Sequence, residues 1–301
     1  MKKRVAILMC CKNSKKFIKE QLISIKDQSY KNYKLFISID RSVDGTTKLI
    51  EDITKELNIN CKIFKGPNKG FSENYKFLTK KVNNFDYYAW CDHDDIWLKN
   101  KIKNGLNKIN KDPITASMYV SNYKLINENG TIIGIPEYKN ICSFQNSLLE
   151  NISPGHTYLF NNCAKNLFNM CDGKLISHDW SMLQIVLGVG GQVYVDSIYG
   201  SFYRQHKNNT IGYRRGKLEK LYKFYRCLQN EVIHYNNSNY FFLKKISSKL
   251  THQNKKALEI LINFKKNNLF KRIFLFKKNK FKRQVFYENF GYYILLFLNK
   301  I

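Results

Sequence analysis

Short apolar runs alternate with amphipathic stretches through the first third of the chain. RVAILMC (Arg4 to Cys10) is apolar throughout, and helical spacing follows from Ser14 to about Asp27. KLFISI (Lys34 to Ile39) is the next apolar run and ends at Asp40. SVDGTTKLIEDITKEL predicts a turn and then a helix, CKIFKG a short strand, NKGFSENYKFLTKKV a turn and a helix, and DYYAWC a fourth strand. Strands that alternate with helices predict right-handed βαβ units and a parallel sheet. Ligands of such sheets sit outside the carboxyl ends of the strands. Asp40 falls at one of these ends and Asp92, Asp94 and Asp95 at another, so both groups are expected to face one crevice.

The pattern changes after about Pro113. ASMYVSNYKLI and GTIIGIP predict strands around the turn NENG, and HTYLFN predicts a short strand. HDWSMLQIVLGVGG predicts a helix closed by glycines, and QVYVDSIYGSFYRQH a pair of strands. The last 89 residues carry almost no turn signals and place apolar residues at helical spacing. No internal repeat and no Pro/Ser linker is visible.

Composition sharpens the division. The chain has 301 residues, of which 44% are hydrophobic, enough for one large domain with an appendage. Its formal net charge is +28, from 51 Lys and Arg against 23 Asp and Glu. From Tyr213 onward there are 21 Lys and Arg and only 4 Glu, so the division expected is 1–212 and a basic, aromatic-rich helical extension at 213–301. Such an excess implies an anionic partner: nucleic acid, anionic lipid or phosphorylated substrate. The basic start is followed by an apolar run that Lys12 interrupts, without a small-residue cleavage site, so no secretory signal is expected. No stretch approaches the roughly 18 apolar residues of a membrane span. The eight cysteines form no CxxC pair and are expected to be reduced packing residues of a cytoplasmic protein.

Four positions carry candidate chemistry. Carboxylates spaced as Asp92 and Asp94 at a strand end suit a hard divalent cation whose shell a diphosphate completes; the bland alternative is a solvated loop, with Asp95 as a helix N-cap. Asp40 could accept from a nucleobase or ribose, or be a turn residue. Asp179 in HDW could be a general base, or a helix-terminal acid favoured by the macrodipole. Arg204 and His206 in YRQHKNNTIG follow a strand and could grip a diphosphate or a metal.

These blocks resemble family 2 glycosyltransferases of the GT-A fold. The opening residues are similar to VAILMATYNG and SDDGSTDGT, NKGFSENYKFL to NKGVSxNF, and WCDHDDIWLKNKI to FADQDDIWLPNKI of bacterial rhamnosyltransferases and related surface-glycan enzymes. SPGHTYLFN, HDW and YRQHKNNTIG resemble the later blocks, in order, over residues 4 to 212. The resemblance implies an α/β fold: a GT-A (Rossmann-like) mixed, mostly parallel sheet flanked by helices. It places Asp40 at the base of the nucleotide and Asp92 and Asp94, with Asp95 beside them, at ribose and metal. It makes Asp179 the catalytic base, sets Arg204 and His206 at the diphosphate, with His206 as a further metal ligand, and lets Gly155 approach sugar or acceptor closely. Cys10 and Lys12, where the family has ATYN, and Asn68, Gly70 and Asn74 complete the expected nucleotide-sugar contacts. Arg41 and His93 stand where the family has Gly and Gln.

The function implied is inverting transfer of a sugar from a nucleotide-diphospho-sugar, dTDP-rhamnose or a UDP-hexose, with Mg2+ or Mn2+. The acceptor expected is a lipid-linked or lipooligosaccharide glycan of a bacterial surface polymer such as O-antigen or capsule. FKRIFLFKKNKFKRQVFYENFGYYILLF interleaves aromatic and basic residues, which suits an anionic membrane surface and a peripheral position at the inner face of the cytoplasmic membrane. A nucleic-acid-binding protein would share the charge and the interleaving, but leaves Asp40, the aspartate cluster and Asp179 unexplained. A non-catalytic nucleotide-sugar-binding domain is the other alternative. A nucleotidyltransferase would want a glycine in the loop CCKNSKK.

Overall fold

The computed structural model describes residues 2–109, 111–136, 142–207, 209 and 231–300. Strand β1 (Val5–Cys11) is apolar at every position and buried along its whole length. It lies between β2 (Tyr33–Ile39) and β4 (Tyr87–Asp92), and β3 (Cys61–Lys65) adds to β2, all four parallel. Side chains alternate across a strand, so β1 serves two cores. Val5, Ile7 and Met9 pack with Ile18, Leu22 and Ile25 of α1 (Ile18–Lys26) and Ile50 and Ile53 of α2 (Thr46–Glu56). Ala6, Leu8 and Cys10 pack on the other side with Tyr75 and Leu78 of α3 (Phe71–Lys81). A continuous apolar run is what a parallel strand covered on both faces requires.

The register puts Cys10 opposite both Ser38 and Asp92, so the carboxyl ends of β1, β2 and β4 form one edge. Beyond β4 the pairing is mixed, antiparallel except for one parallel pair, that of Ser117–Ile126 with Gln192–Arg204. The sheet continues through β8 (Tyr158–Asn161), β6 (Ser117–Ile126), β9 (Gln192–Arg204) and β5 (Ile96–Trp97), with β7 (Ile132–Gly134) pairing to β6. The order β3-β2-β1-β4-β8-β6-β9-β5 makes one mixed nine-stranded sheet with helices on both sides, an α/β fold. Because β8 runs against β4, residues just before β8 meet the carboxyl end of β4.

Helix α4 (Lys101–Lys108) follows β5, α5 (Phe144–Ser147) and α6 (Asn162–Asn169) flank β8, and α7 (His178–Gly188) precedes β9. The side chains of Ser143 and Asn161 cap α5 and α6 by accepting from Asn146 N and Ala164 N. Four further helices, α8 (Glu231–Lys245), α9 (His252–Ile262), α10 (Leu269–Lys278) and α11 (Phe286–Phe297), follow among the described residues. Their Phe242, Leu243, Leu258, Phe276, Tyr292 and Leu296, with Ile246 just after α8, belong to the same buried cluster as Trp90, Met118 and Phe160 of the sheet. The expected division at 212/213 falls among residues outside the described ones. No helix of the described residues is long and apolar enough to cross a membrane. The seven described cysteines are free thiols.

Two expectations are corrected. QVYVDSIYGSFYRQH was expected as a strand pair but forms the single strand β9, whose register slips opposite Val120 and Asn122. Asp196 marks the irregularity, accepting from Tyr119 Oη and from Ile198 N. Asp95 is no helix cap: Ile96 and Trp97 pair with β9, and the helix starts only after Asn100.

Candidate active site

The edge at β1, β2 and β4 gathers the first expected residues. Asp40 is buried; its backbone N donates to Cys11 O, and its Oδ1 accepts from Asn68 N at 2.8 Å. A Cβ on Gly66 would lie 2.3 Å from that oxygen, so the backbone closes on Asp40 only because residue 66 is glycine. Asn68 (φ +59°) and Gly70 (φ +95°) adopt left-handed backbone in the turn before α3, and Asn68 Oδ1 accepts from Arg41 N. Asn74 is buried on α3, donating weakly to Ser38 O at 3.4 Å while its Oδ1 meets no donor among the described residues. Cys10 is buried beside Asp40 and Asp92, and burial pushes its thiol well up, keeping it neutral. Lys12 is exposed at the mouth, its backbone N bonded to Ser14 Oγ. His93 turns back to within 3.3 Å of Cys10 O.

The aspartates divide into two groups. Asp92 keeps about a third of its side chain exposed (34%). Its Oδ1 accepts from Tyr75 Oη at 2.6 Å, and its Oδ2 lies 3.4 Å from His156 Nδ1. Asp95 is fully buried (0% exposed); its Oδ1 accepts from Arg204 N, and its Oδ2 lies 3.0 Å from the same His156 nitrogen. Burial raises Asp92, but the His156 and Tyr75 contacts outweigh it and hold the carboxyl at about 2. For Asp95 burial wins and the pKa is raised despite His156. Burial opposes charge on His156, yet Asp95 and Asp92 lift it to about 9. Asp94 faces the other way, its Oδ2 2.8 Å from His206 Nε2, and the His206 ring stacks on Phe17.

Helix α7 brings the last group. Asp179 Oδ1 accepts from Ser177 Oγ at 2.5 Å and from Trp180 N at 2.8 Å. The His178 ring stacks on Tyr75 at 4.2 Å between centroids, and burial pulls its pKa down. Tyr75 therefore ties the N-terminus of α7 to Asp92. A Cβ on Gly155 would stand 2.7 Å from His178 Nε2 and 3.2 Å from Asp179 Cβ, so the close approach made at Gly155 is to α7. His156 follows directly. Asp40, the aspartate loop, Gly155 and Asp179 thus converge along one connected edge.

Arg204 has partners other than the diphosphate expected of it. It is buried, with Nε donating to Asp94 O, Nη1 to Glu128 O and Nη2 to Glu20 Oε2, and it stacks over Phe17. Its guanidinium fastens the backbone of the acidic loop. His156 had no signal of its own in the sequence; its position depends on β8 running antiparallel to β4.

The donor set fits a hard divalent ion. Ligand atoms of Asp92, Asp95 and His156 lie within 4.8 Å of one another, and Asp94 with His206 adds a second oxygen–imidazole pair. Carboxylate oxygens with imidazole suit Mg2+ or Mn2+.

Solved structures share this architecture at low sequence identity. Staphylococcus aureus TarS 1–349 in complex with UDP-GlcNAc aligns over 92% of this chain and 88% of its own, with TM-score 0.55 and 15% identity. The mannosyltransferase PcManGT from Pyrobaculum calidifontis, in complex with GDP-Man and Mn2+, aligns over 93% and 87%, with TM-score 0.55 and 11% identity. The fold is the GT-A class. At the level of sequence, the profile of "Glycosyl transferase family 2" matches residues 6–178. The dTDP-rhamnosyl transferase RfbG of Shigella flexneri is 30% identical over 215 residues, 68% of this chain and 73% of its own length. The UDP-Glc:alpha-D-GlcNAc-diphosphoundecaprenol beta-1,3-glucosyltransferase WfgD of Escherichia coli is 27% identical over 153 residues, half of this chain and 57% of its own. The chain belongs to glycosyl transferase family 2 and is a glycosyltransferase.

Proposed function

We propose that the protein moves a sugar from a nucleotide-diphospho-sugar to a hydroxyl of a growing bacterial surface glycan, inverting the anomeric centre. The observation that carries this reading is the convergence of Asp40, the Asp92–Asp95 loop and Asp179, linked through Tyr75 and Gly155. Asp40 with Asn68, Gly70 and Asn74 shapes the nucleoside pocket, and Cys10 and Lys12 border it. Asp92 and Asp95 with His156, and Asp94 with His206, are the groups that would hold Mg2+ or Mn2+. Asp95 is fully buried; its Oδ1 accepts from Arg204 N, while its Oδ2, 3.0 Å from His156 Nδ1, has no hydrogen-bond partner among the described residues. When bound, the ion neutralises charge on the departing diphosphate.

Asp179 takes the proton from the acceptor hydroxyl, and that oxygen attacks the anomeric carbon opposite the leaving group. Ser177 and the Trp180 amide hold one carboxylate oxygen, which orients the other for this transfer. A single displacement needs one base and no covalent nucleophile. The names of RfbG and WfgD support dTDP-rhamnose or a UDP-hexose as donor and a lipid-diphosphate-linked glycan as acceptor. A lipid-linked acceptor matches a peripheral position at the inner face of the cytoplasmic membrane, held by the basic C-terminal helices.

Asp179→Asn tests the reading. The variant keeps its circular dichroism and thermal midpoint and loses transfer by about 10²–10⁴-fold, the usual worth of a positioned base. Turnover near the wild-type rate would remove Asp179 from the role.

A further inference from the structure

We infer that Phe17 is a positioning residue that sets the plane of the His206 ring, and with it the direction in which His206 and Asp94 face the metal. The inference rests on the metal reading above and gives a role to a side chain with no ligand atom of its own. Phe17 is buried (8% exposed) immediately before α1, yet it belongs to neither of the two apolar core clusters. It occupies the cap position of α1 without a side-chain cap bond, where Ser, Thr, Asp or Asn would serve the helix better. Neither core packing nor helix initiation therefore accounts for a phenyl ring here. Its ring neighbours are charged or polar. The His206 imidazole stacks on it, 5.1 Å between centroids with 28° between the planes. The Arg204 guanidinium lies over it at 4.7 Å and Lys16 Nζ at 5.0 Å.

Arg204 and His206 both meet Asp94. Arg204 Nε donates to Asp94 O at 2.9 Å, and His206 Nε2 lies 2.8 Å from Asp94 Oδ2. Arg204 is also held by Glu128 O and Glu20, so the ring matters most to His206. The backbone at His206 is pinned by other groups: His206 N donates to Asn209 Oδ1, Asn209 Nδ2 to Arg204 O, and Gln205 N to Ile126 O. A pinned backbone still leaves an imidazole its choice of side-chain rotamers. The contact at Nε2 holds one atom of the ring, and the stack on Phe17 holds its plane. A leucine would fill most of the same space and present no flat face. Groups that orient a ligand in this way set metal affinity without touching the metal.

The test compares Phe17→Leu with Phe17→Tyr in the full chain. Leucine stays apolar but loses the flat face, and tyrosine keeps it. The ring is read directly, without metal, by nuclear magnetic resonance of histidine labelled at Cε1, with the His206 signal assigned by its loss in His206→Gln. A proton held over a phenyl face is shifted upfield. We expect the His206 Cε1 proton upfield of its ordinary position in the wild type and in Phe17→Tyr, and returned toward that position in Phe17→Leu. Mn2+ uptake is followed from the free-ion electron paramagnetic resonance signal, and KM for Mn2+ is measured separately from kcat. We expect Phe17→Leu to weaken Mn2+ binding about 10–100-fold and to raise KM for Mn2+ more than it lowers kcat, with Phe17→Tyr close to the wild type. A wild-type His206 signal at its ordinary position, or one that Phe17→Leu leaves in place, would overturn the inference alone. Unchanged Mn2+ affinity in Phe17→Leu would do the same, as would equal losses in both variants, which make Phe17 a packing residue. A wild-type chain that takes up no Mn2+ would overturn the metal reading and this inference together.

Discussion

Lys101 stands alone among the cations of the site's surroundings. It is buried in the first turn of α4, where Nζ donates to Ser121 Oγ at 3.2 Å and lies over the Trp97 ring. Among the described residues no carboxylate reaches ion-pair distance of it. Burial pulls its pKa down to about 8, with Cys91, Asp95 and Asp92 opposing. Between about 8 and the ordinary value of 10.5 the unfolded chain therefore binds more protons than the folded one, so this group adds stability as pH rises through that window. At neutral pH it opposes folding. Lys101→Met should raise unfolding free energy at pH 7 by on the order of 1–3 kcal/mol, and the advantage should shrink by pH 9.5. Urea denaturation of both proteins at the two values decides this; a variant less stable at pH 7 would show that the Ser121 and Trp97 contacts outweigh the buried charge. At this scale the sequence was readable for position: Asp40 and Asp92 lie at the strand ends expected of them. It was not readable for His156 and Arg204, whose partners lie far along the chain and meet them only through the fold.

Among the elements, the short turn at Gly155–Thr157 leaves little room for change. It touches α7 on one side and delivers His156 to the aspartates on the other. Gly155→Ala adds one methyl group 2.7 Å from His178 Nε2, a position no real Cβ occupies, so either the turn or the start of α7 must shift. His178 is held by its stack on Tyr75 and has little freedom to yield. The displacement falls on Asp179, the proposed base, where a shift near 1 Å would cost on the order of 10²-fold in rate. Steady-state kinetics of Gly155→Ala should show that loss in kcat with a smaller change in donor KM; wild-type kcat would mean that the turn relaxes without moving the carboxylate. Periodicity located β1 to β4 and α1 to α3 because all of them except the half-exposed edge strand β3 bury apolar residues against a neighbour close in sequence. It missed α5, β5 and α6, which are four, two and eight residues long and are fixed by caps or by pairing to a distant strand. It split β9 because the irregularity near Asp196 breaks the alternation without ending the strand.

For the molecule as a whole, the excess of positive charge has to be set against what the C-terminal helices bury and expose. Composition marked the last third as basic and helical, but could not show that its apolar side enters the core of the sheet. A chain cut at residue 213 would strip Phe242, Leu258 and Tyr292 from that core, so truncation would test folding and not attachment. The outward side of α10 gives a cleaner handle. Phe270 is 84% exposed and Phe274 59%. Lys271, Lys277 and Lys278 are exposed around them, the helix carries no acidic residue, and its other side buries Arg272 and Phe276. Removing each ring from water would contribute about 1.5–3 kcal/mol, and each lysine close to an anionic surface about 1 kcal/mol. Together these terms suffice for reversible attachment to anionic lipid and fall short of it on a neutral one. The full chain should therefore co-sediment with phosphatidylglycerol vesicles and not with phosphatidylcholine vesicles, less so as salt is raised. The double variant Phe270→Ser/Phe274→Ser should stay mostly in the supernatant while keeping its transfer rate toward a soluble acceptor, because neither ring touches the sheet edge. Equal recovery of wild type and double variant with anionic vesicles would rule out this face as the attachment surface and leave the glycosyltransferase chemistry standing.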